Sequence, residues 1–315
     1  MLDYFAGVDI GGTKIAVGIG DASGRILLES QLVTADLPGG GEALDAITAE
    51  IDALCQRLGI ERAQLRAIGV GSPGPLNGGK LFKTANLPAE WEGLDIEGGL
   101  RLRSGILTVV ENDATAAAMG EWLYGAGKGL KHMVYVTIST GIGAGMVVNG
   151  MRDAGVQGNA GEFGHIVMKP DGPLCRCGKH GCLETLASGT AIARMAAERL
   201  ADSPFLQQSQ TIDAALVFSG ANAQDATCQS ILDTASFYLG LGLSYLVNLY
   251  NPEMIVLGGG VMANHHEWIQ SIHDNTQRFS MDAMFPAVRI VPAQLGTASG
   301  MQGALAAAVM GQTRI

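Results

Sequence analysis

Apolar and polar positions alternate at the start of the chain in a pattern that predicts a β-hairpin. Residues 4–10 form a first strand pattern, residues 11–14 a turn with two glycines, and residues 15–19 a second strand. A further turn at residues 21–24 leads into a third strand pattern at residues 25–32. The chain is therefore predicted to open with three consecutive short strands.

Longer segments then switch between the hydrophobic period of helices and that of strands. Residues 42–58 have apolar side chains at helical spacing, and residues 67–71 and 107–111 are short buried-type strands. A second helix is predicted at residues 114–124. Helices and strands that alternate along the sequence are typical of the α/β fold class.

The opening pattern begins again at residue 133. A strand at residues 133–138 is followed by a glycine turn at 139–145, a return strand at 146–149 and another turn at 150–152. This recurrence predicts an internal duplication of one α/β unit. The remaining predicted elements are helices at 187–200, 228–248 and 303–310, and strands at 254–257 and 288–292.

Bulk composition narrows the class of protein. The chain has 315 residues, 47% of them hydrophobic, and a formal net charge of −10, which argues against a nucleic-acid or anionic-membrane surface. Its length predicts two domains. Five cysteines suit a reducing compartment better than a disulfide framework, and neither a signal sequence nor an uninterrupted apolar run of ~20 residues is apparent. A cytoplasmic protein without nucleic-acid or membrane partners is expected.

A cluster of metal-binding residue types lies near the middle of the chain. Three thiols and an imidazole, a complete tetrahedral ligand set for structural zinc, fall within eighteen residues: His165, Cys175, Cys177 and Cys182. A chance cluster or a set of small buried side chains is the alternative. Gly178 and Gly181 supply the tight turns that such a short motif needs, which favours zinc. We refer to residues 165–182 as the zinc knuckle.

Several familiar nucleotide-binding motifs do not fit this chain. The P-loop pattern fails around Gly127-Lys128, and the dinucleotide fingerprint fails at residues 141–145. The nucleophile-elbow pattern of hydrolases fails at Ser72.

Two hairpins with glycine-rich tips remain as candidate phosphate sites. They lie at residues 9–13 and 137–145, and their backbone N–H groups could cradle phosphate oxygens. Either could also be an ordinary hairpin turn. Together with the glycines at 258–260 they favour a nucleotide cleft between two related halves.

Five motifs in one order resemble those of the ROK family, which comprises bacterial sugar kinases and sugar-responsive repressors. The motifs are Asp9-x-Gly-Gly-Thr13-Lys14, Asn112-Asp113, Ser139-Thr-Gly-Ile-Gly143, Glu162-x-Gly-His165 and Cys175-x-Cys-Gly-x-x-Gly-Cys-x-Glu184. The resemblance spans essentially the whole chain. It implies the duplicated actin-like ATPase and hexokinase fold (ribonuclease H-like), ATP with Mg²⁺, phosphorylation of a hexose, and a homodimer or homotetramer.

The expected domains follow from the same resemblance. Residues 1–113 with about 301–315 would form a small N-terminal α/β domain, into which the C-terminal helix packs back. Residues 114–300 would form a larger α/β domain that carries the zinc knuckle. A central cleft would separate the two domains.

Asp113 is the expected general base for phosphoryl transfer. It follows a strand and precedes a helix, where a carboxylate is stabilised and can accept a proton from a sugar hydroxyl. From the residues alone, an Asp that only caps the helix is the more natural interpretation; the family resemblance favours the base. The expected sugar-binding residues are Gly74, Asn86, Asn112, Asp113, Glu162, His165 and Glu184.

The nucleotide is expected to contact the glycine turns. Asp9 would hold Mg²⁺ through water, and Lys14 could either approach the phosphates or lie solvated at the surface. The full expected set for nucleotide and Mg²⁺ is Asp9, Gly11, Gly12, Thr13, Lys14, Thr140, Gly141, Gly143, Gly258 and Gly259.

Glucose, phosphorylated at its 6-hydroxyl, is the expected substrate. Ser139 departs from the glycine of many family glucokinases and also occurs among relatives that act on N-acetylmannosamine, and fructose or mannose are further alternatives. A sugar-sensing regulator is less expected, since the first strand begins by Tyr4 and leaves no room for a DNA-binding domain. Filament-forming and chaperone ATPases of this fold would not need the zinc knuckle.

Overall fold

The structure is a computed structural model that describes residues 3–82 and 87–312. Its internal contacts form two compact units. Unit 1 comprises Met1–Leu130, Gly145–Gly161 and Gln294–Ile315, and unit 2 comprises Lys131–Ala144 and Glu162–Ala293. These units differ in their bounds from the domains expected from the sequence, whose boundaries at 113 and 300 remain a prediction.

Within the described residues the chain forms twelve β-strands and ten α-helices. The strands are β1 (Tyr4–Ile10), β2 (Lys14–Asp21), β3 (Ile26–Val33), β4 (Leu65–Ser72), β5 (Leu76–Asn77), β6 (Lys80–Leu81), β7 (Thr108–Asn112), β8 (Met133–Ile138), β9 (Ile142–Val148), β10 (Met151–Asp153), β11 (Met254–Gly258) and β12 (Arg289–Pro292). The helices are α1 (Gly40–Leu58), α2 (Ile96–Ser104), α3 (Asp113–Tyr124), α4 (Leu183–Ala187), α5 (Gly189–Glu198), α6 (Ala214–Asn222), α7 (Ala226–Tyr250), α8 (Gly260–Asn264), α9 (Ile269–Phe279) and α10 (Ser299–Gln312).

The first sheet carries helices on both of its faces. Its strand order is β3-β2-β1-β4-β7, with β1 antiparallel to β2 and parallel to β4. Because side chains alternate along a strand, Ala6 and Val8 of β1 join the core under α1, whereas Phe5 packs with Leu305 of α10. The C-terminal helix is therefore part of unit 1, and it also packs against α3.

The second sheet repeats the first strand for strand. Its order is β10-β9-β8-β11-β12, so β8 takes the place of β1 and β11 the place of β4. As in the first sheet, β8 and β11 pair in parallel, and so do β11 and β12. This correspondence confirms the internal duplication predicted from the recurring hairpin.

The second hairpin corrects two details of the prediction. Residues 150–152 were expected to turn, but the turn lies at Asn149 and Gly150, which have positive φ, and residue 151 already begins β10. The return strand begins at Ile142, four residues before the expected start. The glycine in this strand at residue 145 is explained by packing, because a β-carbon there would lie 2.5 Å from the side chain of Ala118.

Among the described residues, α7 alone is long and apolar enough to cross a membrane by length and composition. Buried core helices pass the same test, and 61% of the most apolar window of α7 is buried. Its apolar residues include Ile231, Leu239 and Leu243, each at most 1% exposed.

Candidate active site

The junction between β7 and α3 presents the predicted base. Asn112 caps the helix, since its Oδ1 accepts the N–H of Ala114 at 3.0 Å, and Asp113 is the first helical residue. The N-cap position is thus taken by Asn112, one residue before Asp113. Asp113 Oδ1 also accepts this N–H, at 2.7 Å, and the residue is exposed. The positive end of the helix dipole stabilises a carboxylate in this position.

A loop after β4 lies beside Asn112. Gly74 is so near that a β-carbon there would lie 3.1 Å from Asn112 Nδ2. The N–H of Leu76 donates to Oδ1 of Asn159 at 3.1 Å, which fixes this loop to the segment that leads toward Glu162. Sequence reasoning did not identify Asn159. The predicted sugar contact Asn86 lies outside the described residues.

A buried ion pair supports β7, the strand that precedes the predicted base. Nη1 of Arg152, on β10, donates to Oε2 of Glu111 at 2.9 Å, and the side chains are only 12% and 4% exposed. Glu111 directly precedes Asn112 on β7. A buried charge of this kind requires a partner, so a glutamate within an apolar strand was the sequence signal for this pair.

Asp9, the predicted Mg²⁺ contact, is the penultimate residue of β1 and is half-buried. Burial raises the pKa of its carboxyl, the charge of Lys14 opposes this shift, and the charge of Glu29 adds to it. Residue 300, at the start of α10, is a glycine, and a β-carbon there would lie only 2.1 Å from Asp9 Oδ2. A residue with a side chain at position 300 would therefore displace this carboxylate. Carboxylate oxygen is a ligand that Mg²⁺ prefers, and binding of Mg²⁺ by Asp9 remains a prediction.

The first glycine turn, residues 11–13, joins β1 to β2. The N–H of Gly11 donates to the Lys14 carbonyl at 2.9 Å, and the hydroxyl of Thr34 donates to the Gly11 carbonyl at 2.7 Å. Gly12, Thr13 and Lys14 are exposed. The turn is thus fastened at its base and open at its tip, and its contact with phosphate remains a prediction.

The second glycine turn, residues 139–141, is shorter than the sequence suggested. The N–H of Ser139 donates to the Gly141 carbonyl at 2.9 Å. Gly143 was expected in the turn but lies within β9, because the strand pattern resumes at Ile142. Thr140 is exposed at the tip. Gly258 ends β11 and Gly259 follows it as the N-cap of α8, and their contact with adenosine remains a prediction.

Three predicted sugar-binding residues of unit 2 lie near one another. His165 Nε2 is 3.7 Å from Glu162 Oε2. Burial raises the pKa of the Glu162 carboxyl, His165 opposes the shift, and the charge of Glu184 adds to it. Glu184 Oε2 accepts the N–H of Ile142 at 3.1 Å, a contact that sequence reasoning did not find.

The zinc knuckle has the geometry of a tetrahedral metal site. The ligand atoms of His165, Cys175, Cys177 and Cys182 all lie within 4.8 Å of one another, and no second such group occurs among the residues that the structure describes. His165 Nδ1 is 3.5 Å from Cys175 Sγ, and the sulfurs of Cys177 and Cys182 are 3.6 Å apart. Zn–S bonds of ~2.3 Å and Zn–N bonds of ~2.0–2.1 Å give tetrahedron edges of about 3.5–3.8 Å. The four residues therefore fit zinc.

The two ring nitrogens of His165 face different groups. Nδ1 faces the thiols and Nε2 faces Glu162. Such a histidine can bind a metal with one nitrogen and orient a neighbouring acid or substrate with the other.

The duplicated fold, with one glycine hairpin in each sheet, is that of the actin-like ATPases and hexokinases. The ROK family model matches residues 5–310, so the chain belongs to the ROK family.

Individual relatives match over nearly the whole chain. A glucokinase of Halalkalibacterium halodurans is 36% identical over 95% of this chain and 93% of its own length. The crystal structure of a ROK hexokinase from Thermus thermophilus has a TM-score of 0.86 and 32% identity, covering 99% of this chain and 100% of that one. A ROK glucokinase from Streptomyces griseus, solved with glucose and AMPPNP, has a TM-score of 0.79 and 31% identity, covering 98% and 99%. An N-acetylmannosamine kinase of Yersinia pestis is 34% identical over 81% of this chain and 82% of its own length.

Proposed function

We propose that the sugar phosphorylated by this chain is glucose, converted to glucose 6-phosphate. The coarser assignment is an ATP-dependent sugar kinase, since glucokinases resemble the chain over nearly its whole length and one was solved with glucose and an ATP analogue. The finer assignment rests on the same relatives and on the acids of the site.

The observation that carries the proposal is the exposed carboxylate of Asp113 at the end of β7. In the proposed reaction this carboxylate accepts the proton of the sugar hydroxyl. A bond then forms between the sugar oxygen and the γ-phosphorus, and the bond from this phosphorus to the bridging oxygen of ADP breaks. Asn112 Oδ1 accepts the N–H of Ala114, and this cap holds the backbone that carries Asp113.

The remaining site residues are proposed to bind and orient the sugar, Mg²⁺ and ATP. Glu162, His165 and Glu184 are the proposed sugar-binding group of unit 2, and zinc would hold the loop that carries them. Asp9 would bind Mg²⁺ through water, and Mg²⁺ supplies charge neutralisation to a bound triphosphate. The turns at 11–13 and 139–141, with Gly258 and Gly259, are the proposed ATP contacts.

N-acetylmannosamine is the alternative substrate that a specific observation favours. A kinase with that activity, from Yersinia pestis, is 34% identical to this chain over 81% of its length, and the family resemblance implies that Ser139 is compatible with that substrate. Fructose and mannose would differ from glucose in a few hydroxyl contacts on loops. A sugar-sensing regulator without catalysis is the less expected alternative.

A coupled phosphorylation assay over glucose, mannose, fructose, N-acetylglucosamine and N-acetylmannosamine tests the proposal. We expect the highest kcat/KM for glucose, with phosphate on the 6-hydroxyl of the product. A higher kcat/KM for N-acetylmannosamine would overturn the glucose assignment, and no turnover with any hexose would overturn the kinase assignment.

Three further properties are part of the proposal. We expect a homodimer or homotetramer, a cytoplasmic location, and no nucleic-acid or membrane partner; sedimentation and cell fractionation check the first two.

A further inference from the structure

Glu184 connects the zinc knuckle with the second glycine turn. It is the second residue of α4 and follows the zinc ligand Cys182 by two positions. Its Oε2 accepts the N–H of Ile142, which follows the turn and begins β9, at 3.1 Å. One side chain therefore joins the segment that is proposed to bind sugar to the turn that is proposed to bind phosphate.

Glu184 lies so close to residue 141 that the position accommodates only glycine without movement. A β-carbon at Gly141 would lie 2.3 Å from Glu184 Oε2 and 3.2 Å from its Cδ. Heavy atoms cannot approach so closely, so any larger residue at 141 must displace either the turn or the carboxylate. The glycine at this position is thus explained by Glu184.

Among the described residues, two further hydrogen bonds from outside the turn go to its carbonyl groups. The hydroxyl of Thr190 donates to the Thr140 carbonyl at 2.8 Å, and the N–H of Gly189 donates to the Ser139 carbonyl at 2.8 Å. The bond from Ile142 to Glu184 is different in kind, because a carboxylate accepts it. Such charge-assisted bonds are about twice as strong as neutral ones.

A carboxylate has two oxygens, so Glu184 can accept two hydrogen bonds in different directions. While Oε2 holds the turn, a sugar hydroxyl that donates to Oε1 would restrict the side chain to one rotamer. Restricting the rotamer also fixes the acceptor of the Ile142 N–H. Binding at one oxygen would then favour one geometry of the turn at the other.

We propose that Glu184 is a positioning residue that couples hexose binding to the geometry of the phosphate turn at residues 139–141. This inference rests on the proposed function of the chain as a hexose kinase that binds sugar through Glu184. Coupling between sites is reciprocal, so ATP must tighten glucose binding by the same factor by which glucose tightens ATP binding. We expect a factor of about five or more, the usual lower range of such coupling.

The test measures the glucose dissociation constant by calorimetry with and without saturating Mg–AMPPNP. The ratio of the two constants is the coupling factor, which a role in folding alone would not change. Four proteins are compared: wild type, Glu184→Ala, Gly141→Ala and Glu162→Ala. Glu162 is the matched control, because it is also an acid of the proposed sugar site but has no hydrogen bond to the turn among those described.

We expect Glu184→Ala and Gly141→Ala to lower the coupling factor toward one. Gly141→Ala does this from the side of the turn and changes no proposed sugar-binding side chain, so it carries the test if Glu184→Ala does not fold. Glu162→Ala should weaken glucose binding and keep the coupling factor of the wild type.

A wild-type coupling factor of one, or an unchanged factor in both Glu184→Ala and Gly141→Ala, would overturn the inference while leaving the kinase assignment intact. An equal loss of coupling in Glu162→Ala would overturn it as well. If the wild type neither binds nor phosphorylates a hexose, the proposed function itself fails.

Discussion

The two groups of acids in this protein are held in place by different means. In unit 1, Asp9 and Asp113 stand at the ends of strands β1 and β7, where the sheet and the cap of α3 fix the backbone. In unit 2, Glu162 and Glu184 flank the zinc knuckle, where regular structure is short. A loop of this kind can hold its shape when a metal links four side chains.

This difference separates two kinds of function. A base must keep its position during the reaction, and a strand end beside a helix N-terminus gives it one without any cofactor. Sugar-binding acids need to surround a ligand, and a metal-linked loop can present several of them from few residues. We therefore expect chemistry to depend on unit 1 and sugar affinity to depend on the metal.

The largest expected effect is that of Asp113→Asn. Loss of the base should lower kcat by about 10²–10⁴-fold, with the glucose dissociation constant changed little, because the lost interaction forms only in the transition state. Steady-state kinetics and calorimetry measure the two quantities. Asp213→Asn is the control, since Asp213 caps α6 by accepting the N–H of Leu216 at 2.8 Å and Asn caps helices equally well. Near-normal kcat in Asp113→Asn would refute the base.

Arg152→Met tests whether the buried ion pair stabilises β7, the strand before the proposed base. It removes the arginine that pairs with the buried carboxylate of Glu111 and should lower the free energy of unfolding by about 3 kcal/mol. Denaturant titration measures this loss. The double variant Glu111→Leu/Arg152→Met should recover part of it, because both charges are then gone.

A surface pair gives the matched control for this loss. Arg194 and Glu198 form an ion pair of 2.6 Å with side chains 35% and 58% exposed, so Arg194→Met should cost no more than about 1 kcal/mol. Equal losses in Arg152→Met and Arg194→Met would contradict the role assigned to the buried pair.

Removal of zinc should affect sugar binding by unit 2. We expect a chelator to weaken glucose binding by about tenfold, or to unfold the loop of the knuckle, while kcat at saturating sugar persists. Calorimetry, proteolysis and metal analysis before and after dialysis check this. Re-addition of zinc should restore affinity. Unchanged glucose affinity and stability in zinc-free protein would contradict the proposal that zinc supports the sugar-binding loop.

Asp9→Asn should give a small effect with a defined pH dependence. Burial raises the pKa of Asp9 despite Lys14, so its ionised form disfavours the folded state. The stability linked to the protonated form is present below 3.8, the ordinary pKa of an aspartate, and is lost as the pH rises through the higher folded value. In magnesium-free buffer the variant should therefore melt above the wild type at neutral pH, and the difference should disappear below pH 3.8.

Asp225→Asn should change the melting temperature in the opposite direction. Burial acts to raise the pKa of Asp225, but hydrogen bonds from the Cys228 backbone and the Ser203 hydroxyl together lower it. Its contribution to stability is present above pH 3.8 and is lost as the pH falls through the lower folded value. This variant should melt below the wild type at neutral pH. Changes in melting temperature of the same sign in both variants would contradict the opposite pKa shifts of Asp9 and Asp225.

The fold was predictable wherever hydrophobic periodicity was strong. The predicted strand at residues 133–138 has the observed bounds of β8, and the duplicated hairpins were visible in the sequence. Helix α2 was not predicted, because Gly98 and Gly99 interrupt the helical pattern. Gly99 lies so near Leu44 of α1 that a β-carbon there would be 2.4 Å from its side chain, and such a packing requirement has no local sequence signature.

For the candidate site, the sequence predicted which residue types take part better than it predicted which residues contact one another. The four predicted zinc ligands followed from spacing and ligand chemistry, and the structure brings these side chains together. The bonds of Glu184 to Ile142 and of Arg152 to Glu111 join residues far apart in sequence, so no periodic pattern records them. Such pairs appear only when the chain is folded.

The most direct test of the division between chemistry and binding is a single-turnover measurement with saturating Mg–ATP and glucose. Asp113→Asn and zinc-depleted protein are compared in the same assay, with glucose affinity measured on the same samples. We predict that Asp113→Asn binds glucose and transfers phosphate about 10²–10⁴-fold more slowly than the wild type, whereas zinc-depleted protein binds weakly and transfers at nearly the normal rate once saturated. Rapid transfer by Asp113→Asn, or slow transfer by fully saturated zinc-depleted protein, would contradict this account.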